Sequence, residues 1–345
     1  DSSLSSSILV TGGAGFIGSA LVRRLLLSTE SNIVVLDALT YAGNLENLDG
    51  VIDGHRCRFL RGSITDTRLV ETILQGEKFD GIINCAAESH VDRSIESAVP
   101  FIHTNVVGTQ VLLDVARRQN VRRFLQMSTD EVYGDLPRNA DAFRSTSPLA
   151  PSSPYSASKA AADLLVLAAH RTHGQDVVIT RCSNNYGPRQ FPEKFIPLMI
   201  LNALEGRPLP VYGDGRQIRD WIHVDDHCEA VIRAYHDGDS GAVYTIGGDC
   251  ERENIDVVHM ILKATASASA VTHVTDRPGH DRRYAIDVSE TATRLGWTPS
   301  IRFEDGLAET IEWYRTHQAW WTNVKSGDYR TYYERHYGSF HEGTL

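Results

Sequence analysis

The stretch STDEVYG, Ser128 to Gly134, sets Thr129, Asp130 and Glu131 side by side, and it follows the apolar run RRFLQM, which reads as a buried strand. Adjacent carboxyl groups in a loop are ordinarily just solvated. In different environments, though, they can divide the roles of proton donor and proton acceptor, as elimination of a poor leaving group requires at neighbouring carbons. Further along, SPYSASKAAADLLVLAAH places Tyr155 and Lys159 four residues apart, about one turn along one helix face. An ammonium near a phenol stabilises the phenolate, which can then remove a hydroxyl proton as hydride leaves the same carbon. YxxxK on its own is also a common helix-surface pattern.

An acceptor for that hydride is signalled near the start of the chain. ILVTGGAGFIGSALVRRL reads as strand, glycine-rich turn and helix, with Gly13, Gly15 and Gly18 in the pattern GxGxxG and Gly12, Gly15 and Gly18 in the wider GxxGxxG. Such glycines allow a tight turn, let backbone approach a pyrophosphate and let helix pack on strand, while the helix N-terminus faces the phosphates. Asp37 closes the next strand, IVVLD, where a carboxylate accepts hydrogen bonds from an adenosine ribose and repels a 2′-phosphate. NAD is therefore favoured over NADP.

Six runs read as strands: SILVTGG, NIVVLD, CRFLRG, FDGIINCAA, RRFLQMSTD and DVVITRC. They alternate with segments of helical periodicity such as IGSALVRRLLLS and NVVGTQVLLDVARRQ, which predicts an α/β fold with a parallel sheet covered by helices on both faces. From about Asn185 prolines punctuate the chain and this rhythm weakens; one later run, AVYTIGG, can rejoin the first sheet. The expected division is a dinucleotide-binding domain of residues 1–184 plus about 222–248, and a smaller, discontinuous domain of about 185–221 and 249–345. Trp313, Tyr314, Trp320, Trp321, Tyr329, Tyr332 and Tyr333, at roughly helical spacing, read as packing residues.

At 345 residues the chain is long enough for about two domains, and 41% hydrophobic with 23% charged residues is an ordinary globular balance. A net charge of −10 argues against general affinity for nucleic acid or anionic membrane, so an anionic ligand needs a local basic pocket. No apolar run reaches bilayer-spanning length, and the start DSSLSSS lacks the regions of a signal peptide, which points to the cytoplasm. Cys57, Cys85, Cys182, Cys228 and Cys250 are scattered and read as free thiols. WIHVDDH superficially resembles a metal cluster, but its spacing suits a strand followed by a helix capped by Asp225 or Asp226; no metal is expected.

Taken together, the glycine loop, Asp37, NCAAESHVDRS, STDEVYG, YSASK and RCSNNYGPRQFPEKFIP resemble the extended short-chain dehydrogenase/reductase superfamily. Within it, TYAGN, ESHVDRS, TDEVYG and GDGRQIRDW make the chain similar to the dTDP-glucose 4,6-dehydratase family along nearly its whole length. The resemblance implies a Rossmann-type doubly wound sheet with a substrate-binding lobe, NAD as cofactor, and conversion of dTDP-glucose to its 4-keto-6-deoxy product. It implies that Tyr155 deprotonates the C4 hydroxyl with Lys159 lowering its pKa, that Glu131 takes the C5 proton, that Asp130 protonates the departing C6 hydroxyl and that Thr129 bonds the C4 oxygen. Along with Gly12, Gly15, Gly18, Asp37, Tyr155 and Lys159, it assigns Phe16, Ile17, Thr40, Ser63, Ile64, Ala86, Ala87, Thr104 and Asn185 to the NAD site. The nucleotide sugar falls to Ser89, Thr129, Asn184, Lys194, Pro210, Tyr212, Arg219, Asn254, Arg277 and His280, with Arg219 and Arg277 pairing with the diphosphate and Tyr212 stacking on the base.

Two departures from the family pattern stand out. Ser63 occupies a position where the family usually has Asp, which weakens the expected hold on the cofactor, and Arg144-Ser145 replaces a common Thr-Glu in a loop. The segments FIHTNVVGTQVLLDVA and ASKAAADLLVLAAH are apolar nearly all round, which fits the family's homodimer, formed through a four-helix contact. Three alternatives stay open: a UDP-glucose 4,6-dehydratase, a nucleotide-sugar 4-epimerase, and a non-catalytic NAD-sensing protein, although the last would be expected to lose Tyr155 or Lys159.

Overall fold

The computed structural model describes residues 6–327; Tyr329, Tyr332 and Tyr333 lie outside the described residues. All six expected strands form: β1 (Ser7–Thr11), β2 (Asn32–Asp37), β3 (Cys57–Arg61), β4 (Phe79–Asn84), β5 (Arg123–Thr129) and β6 (Asp176–Cys182). The rest of the chain adds β7 (Asn184–Tyr186), β8 (Leu209–Tyr212), β9 (Ile218–His223), β10 (Ala242–Ile246), β11 (Glu251–Glu253) and β12 (Val271–Val274). Strands in the order β10-β6-β5-β4-β1-β2-β3 make one parallel sheet, so the late run AVYTI does return to the edge beside β6.

The sheet is buried on both faces because its strands are apolar at successive positions, not alternate ones. Ile8, Val10, Ile33 and Val35 point into one layer with Leu21, Leu25, Val231 and Ala234, from helices Phe16–Ser28 and Val224–Asp237. Leu9, Val34 and Leu36 point the other way, onto Val70, Leu112, Leu113 and Val166, from helices Thr67–Gly76, Thr109–Arg118 and Pro154–His173. A third cluster draws on Tyr186, Ile200, Trp221, Val257, Ile261, Phe303, Ile311, Tyr314, Trp320 and Trp321. It surrounds two small sheets, β11-β9-β7 and β12-β8. Trp313, Tyr314, Trp320 and Trp321 are thus packing residues, and Trp320 Nε1 also donates to Asn47 Oδ1 at 3.0 Å.

The segment WIHVDDH is a strand end and a helix start, but the cap differs from the expected one: the Asp225 N–H donates to the ring of His223, 3.2 Å away. Asp226 instead accepts from the Ser300 N–H and hydroxyl and the Ile301 N–H, and His227 turns inward to Asn185. All five cysteines are free. Among the described residues no helix is long and apolar enough to cross a membrane, and no group of three His, Cys, Asp or Glu side chains could hold a metal ion.

Candidate active site

A cleft of about 600 Å³ runs along the carboxyl ends of the parallel strands, where an open α/β sheet ordinarily binds ligands. At its cofactor end the chain turns sharply after β1, with Gly12 at φ +67°. A Cβ there would lie 2.7 Å from the backbone of Ala86, and one on Gly18 would run into the carbonyl of Gly12, so only glycine fits either place. From the end of β2, the Asp37 carboxylate accepts from the N–H of Ala14 at 2.9 Å and of Leu39 at 2.8 Å. Burial raises its pKa and those two N–H groups oppose the rise. Ser63, at the position of the missing acid, shares its hydroxyl with Thr65 at 2.7 Å, within its own turn. Asn185 is aligned by His227 Nδ1, which lies 2.8 Å from its Oδ1. A glycine cradle without side chains, an acid at the β2 end and an aligned amide fit a dinucleotide; Phe16, Ile17, Thr40, Ile64, Ala86, Ala87 and Thr104 complete the same wall.

The reacting groups sit on two elements. Helix Pro154–His173 begins with Ser153 and Ser156 in a reciprocal capping box, which places Tyr155 in the first turn and Lys159 one turn on. The second element is the single turn Asp130–Tyr133 at the end of β5, capped by Thr129, whose hydroxyl oxygen accepts from the Glu131 N–H at 3.2 Å. Lys159 Nζ donates to Met127 O at 2.7 Å. Below them, buried Asp163 accepts from Ser128 Oγ and Arg181 Nε, each at 2.9 Å, and Arg181 donates to Tyr133 OH at 2.9 Å. The helix and the turn are therefore bolted together on either side of the two carboxyl groups.

Their electrostatics separate the carboxyls. Burial, reinforced by the charges of Glu131 and Asp220, pushes the pKa of Asp130 well above the ordinary carboxylate value, and its Oδ2 has no hydrogen-bond partner among the described residues. Burial raises Glu131 as well, but Arg219, Arg277 and Lys194 oppose the rise. Of the two, Asp130 is the more strongly pushed toward its protonated form. At Tyr155, burial, then Glu131, Cys182, Tyr41 and Asp130, push the phenol above its usual value, a rise that the Lys159 ammonium would have to offset. Burial also lowers Lys159, with Asp163 holding it up.

At the far end, Ser89, Asn184, Pro210, Tyr212, Asn254 and His280 line the cleft together with the three cations that face Glu131. Lys194 Nζ donates to Ser89 O at 3.2 Å, and Arg219 donates to the carbonyls of Ile218 and Asp281 at 2.8 and 2.9 Å with its guanidinium over the Tyr284 ring. This is the local basic pocket that an acidic chain needs for an anionic ligand. Burial and the nearby Arg277 take His280 down to about 4, although Asp276, 2.6 Å away, opposes this. The residues assigned from sequence to catalysis, cofactor or substrate line this one cleft, while Gly13 of the glycine loop faces Val35 instead. Sequence reasoning missed Asp92, which accepts from Arg277 and Tyr212, and the Asp163–Arg181 pair. Asp92 lies inside ESHVDRS, a motif already quoted.

The sheet, the glycine loop and a Tyr/Lys helix sharing one cleft define a dinucleotide-binding protein of the extended short-chain dehydrogenase/reductase class. The family model for GDP-mannose 4,6 dehydratase matches residues 9–310. A dTDP-glucose 4,6-dehydratase of Streptomyces niveus is 51% identical over 330 residues, covering 94% of this chain and 97% of that protein. Among solved structures, DesIV, a dTDP-glucose 4,6-dehydratase from Streptomyces venezuelae with NAD and TYD bound, superposes with a TM-score of 0.89 at 48% identity, covering 92% of this chain and 99% of the other. A UDP-glucose 4-epimerase from Thermotoga maritima with UDP-glucose shares the fold at a TM-score of 0.85 but only 29% identity, over 90% of this chain and 99% of the other. The chain belongs to the dTDP-glucose 4,6-dehydratase family.

Proposed function

We infer that this protein is a hydro-lyase that converts dTDP-glucose to dTDP-4-keto-6-deoxy-glucose with NAD as its recycled cofactor. The observation that carries the reading is the pair formed by buried Asp130 and half-buried Glu131 in the cleft they share with Tyr155 and Lys159, with burial raising both carboxyls and Arg219, Arg277 and Lys194 opposing the rise at Glu131. An epimerase needs only the Tyr/Lys pair; the two carboxyls are what elimination adds.

NAD would lie against Gly12, Gly15, Gly18, Asp37 and Asn185, and when bound it takes hydride from C4 of the sugar and gives it back at C6. Tyr155 accepts the C4 hydroxyl proton, and the Lys159 ammonium, tethered to Met127 O, is the positive charge that favours the phenolate. The Thr129 oxygen accepts from the Glu131 N–H, and its O–H, which also reaches the Asp130 carboxyl, would turn to donate to the C4 oxygen. The C4 ketone acidifies C5–H, and Glu131 removes that proton. Asp130, whose protonated form burial favours, gives its proton to the C6 hydroxyl, which departs as water. Glu131 then returns a proton to C5. Lys194, Arg219 and Arg277 offset the substrate diphosphate, and Tyr212, Asn254 and His280 flank it.

We also propose the two-domain division read from the sequence, supported by the separate third core. A homodimer is supported by Val99 at 72%, Ile102 at 50% and Leu164 at 56% exposure on the neighbouring helical segments. A cytoplasmic setting suits a charged nucleotide sugar that does not cross membranes unaided.

The test is mass spectrometry of dTDP-glucose, UDP-glucose and GDP-mannose after separate incubation with the purified protein and NAD. Loss of one water from dTDP-glucose, fastest of the three, is expected. Faster loss from UDP-glucose would reassign the nucleotide, and an epimer of unchanged mass would overturn the elimination.

A further inference from the structure

The segment Glu88–Ser94, from ESHVDRS, crosses from the first lobe to the second, and its contacts go beyond lining the cleft. One end is held by Asn105, whose Oδ1 accepts from Glu88 N at 2.9 Å and whose Nδ2 donates to Glu88 O at 3.0 Å and to Ser158 Oγ at 2.9 Å. Ser158 in turn donates to Tyr155 O at 2.6 Å. The other end is held by Ser94, whose hydroxyl accepts from the Tyr155 N–H at 3.2 Å and donates to Val91 O at 2.6 Å. Both ends are thereby fastened to the first turn of the catalytic helix. Asn105 itself belongs to Ile102–Gly108, a π-helical stretch of the kind frequent at functional sites.

Between those anchors the Asp92 carboxylate reaches the second lobe. Its Oδ1 accepts from Arg277 NH1 at 2.9 Å and its Oδ2 from Tyr212 OH at 3.2 Å. Burial acts against its charge, yet Arg277 and Tyr212 keep its pKa below the ordinary value. The bond to Arg277 is made through one nitrogen, and Arg277 Nε is buried without a partner among the described residues. The guanidinium is therefore oriented by Asp92 with donors to spare, and the Tyr212 ring is fixed by its hydroxyl.

We propose that Asp92 is a positioning residue for the nucleotide diphosphate: it orients Arg277 and Tyr212 from a strap tied to the Tyr155 helix, so the nucleotide is held in register with the reacting sugar. The inference rests on the reading that Arg277 and Tyr212 face the nucleotide. A preorganised donor loses no rotamer freedom on binding, so releasing it weakens the ligand without touching the reacting atoms.

The experiment measures dTDP and NAD binding by calorimetry, and KM and kcat for dTDP-glucose, in the full-length wild-type protein and in Asp92→Asn, Asp92→Ala, Arg277→Gln and the double variant Asp92→Asn/Arg277→Gln. Expected for Asp92→Asn and Asp92→Ala is dTDP binding weaker by about tenfold, a loss in KM larger than that in kcat, and unaltered NAD binding. The double variant should lose less dTDP affinity than the product of the two single losses, since Asp92 acts in part through Arg277; losses that multiply in full would overturn the proposal. If Arg277→Gln weakens dTDP but the Asp92 variants bind it as well as or better than wild type, Asp92 is a bystander or a competitor and the proposal is overturned. Equal loss of NAD and dTDP binding would show a merely structural role, also overturning it. If Arg277→Gln leaves dTDP binding intact, the underlying reading of the nucleotide site is what fails, and the proposal falls with it.

Discussion

Lys159 Nζ donates a 2.7 Å hydrogen bond to the carbonyl oxygen of Met127, two residues before the Thr129-Asp130-Glu131 turn. The one ammonium in helix Pro154–His173 is thus also a tie between that helix and the strand that leads into the two carboxyl groups. Lys159→Met should lower kcat by about 10³, the middle of the range for loss of a general acid–base partner, because it removes both the charge beside Tyr155 and the tie. Initial rates check this. A variant within tenfold of wild type would show that Lys159 contributes neither.

The two carboxyl groups set a pH signature. With the proposed roles, Glu131 acts ionised and Asp130 protonated, and burial raises both pKa values, so the profile should be bell-shaped: rising as Glu131 loses its proton, above the usual carboxylate range, and falling as Asp130 loses its own. For stability the sign is opposite to that of an ion-paired Asp. A folded-state pKa above the unfolded one means that this group's contribution is fully present below the unfolded pKa and is lost as pH rises through the folded one. Asp130→Asn should therefore melt roughly 2 °C higher than wild type in alkaline buffer, with the gap closing toward acid, while losing activity. Calorimetric scans across pH would reveal an equal or lower melting temperature if Asp130 stabilised the fold.

Val99 and Leu164 are large apolar side chains left mostly open to solvent on helical segments that are otherwise core-forming. Val99→Asp and Leu164→Asp should each convert a dimer to a monomer, measured by light scattering at micromolar protein. A wild-type monomer would remove the proposed four-helix contact.

Much of the frame was legible because it is local. Strand runs, the glycine turn and the Tyr/Lys spacing are set by neighbours in sequence, and each appears where periodicity and motif placed it. The helix cap at His223 was misread because Asp225 and Asp226 are the commoner capping residues, whereas here Asp226 is drawn away to Ser300 and Ile301. Four residues of spacing put Tyr155 and Lys159 on one helix face but say nothing of the burial that raises the phenol. Asp92 and Arg277 meet across 185 positions, and no local pattern carries that pairing. The nucleotide end of the cleft, assembled from such distant partners, was legible only through resemblance.

The central claim is that Asp130 and Glu131 carry out the elimination while Tyr155 and Lys159 serve the oxidation. Its most direct test is mass spectrometry of dTDP-glucose incubated with wild type and with the double variant Asp130→Asn/Glu131→Gln, each first shown to bind NAD and dTDP. Wild type should yield a product lighter by one water, and the double variant should form no dehydrated product above a roughly 10³-fold slower background. Dehydration by the double variant at a rate near wild type would contradict the account.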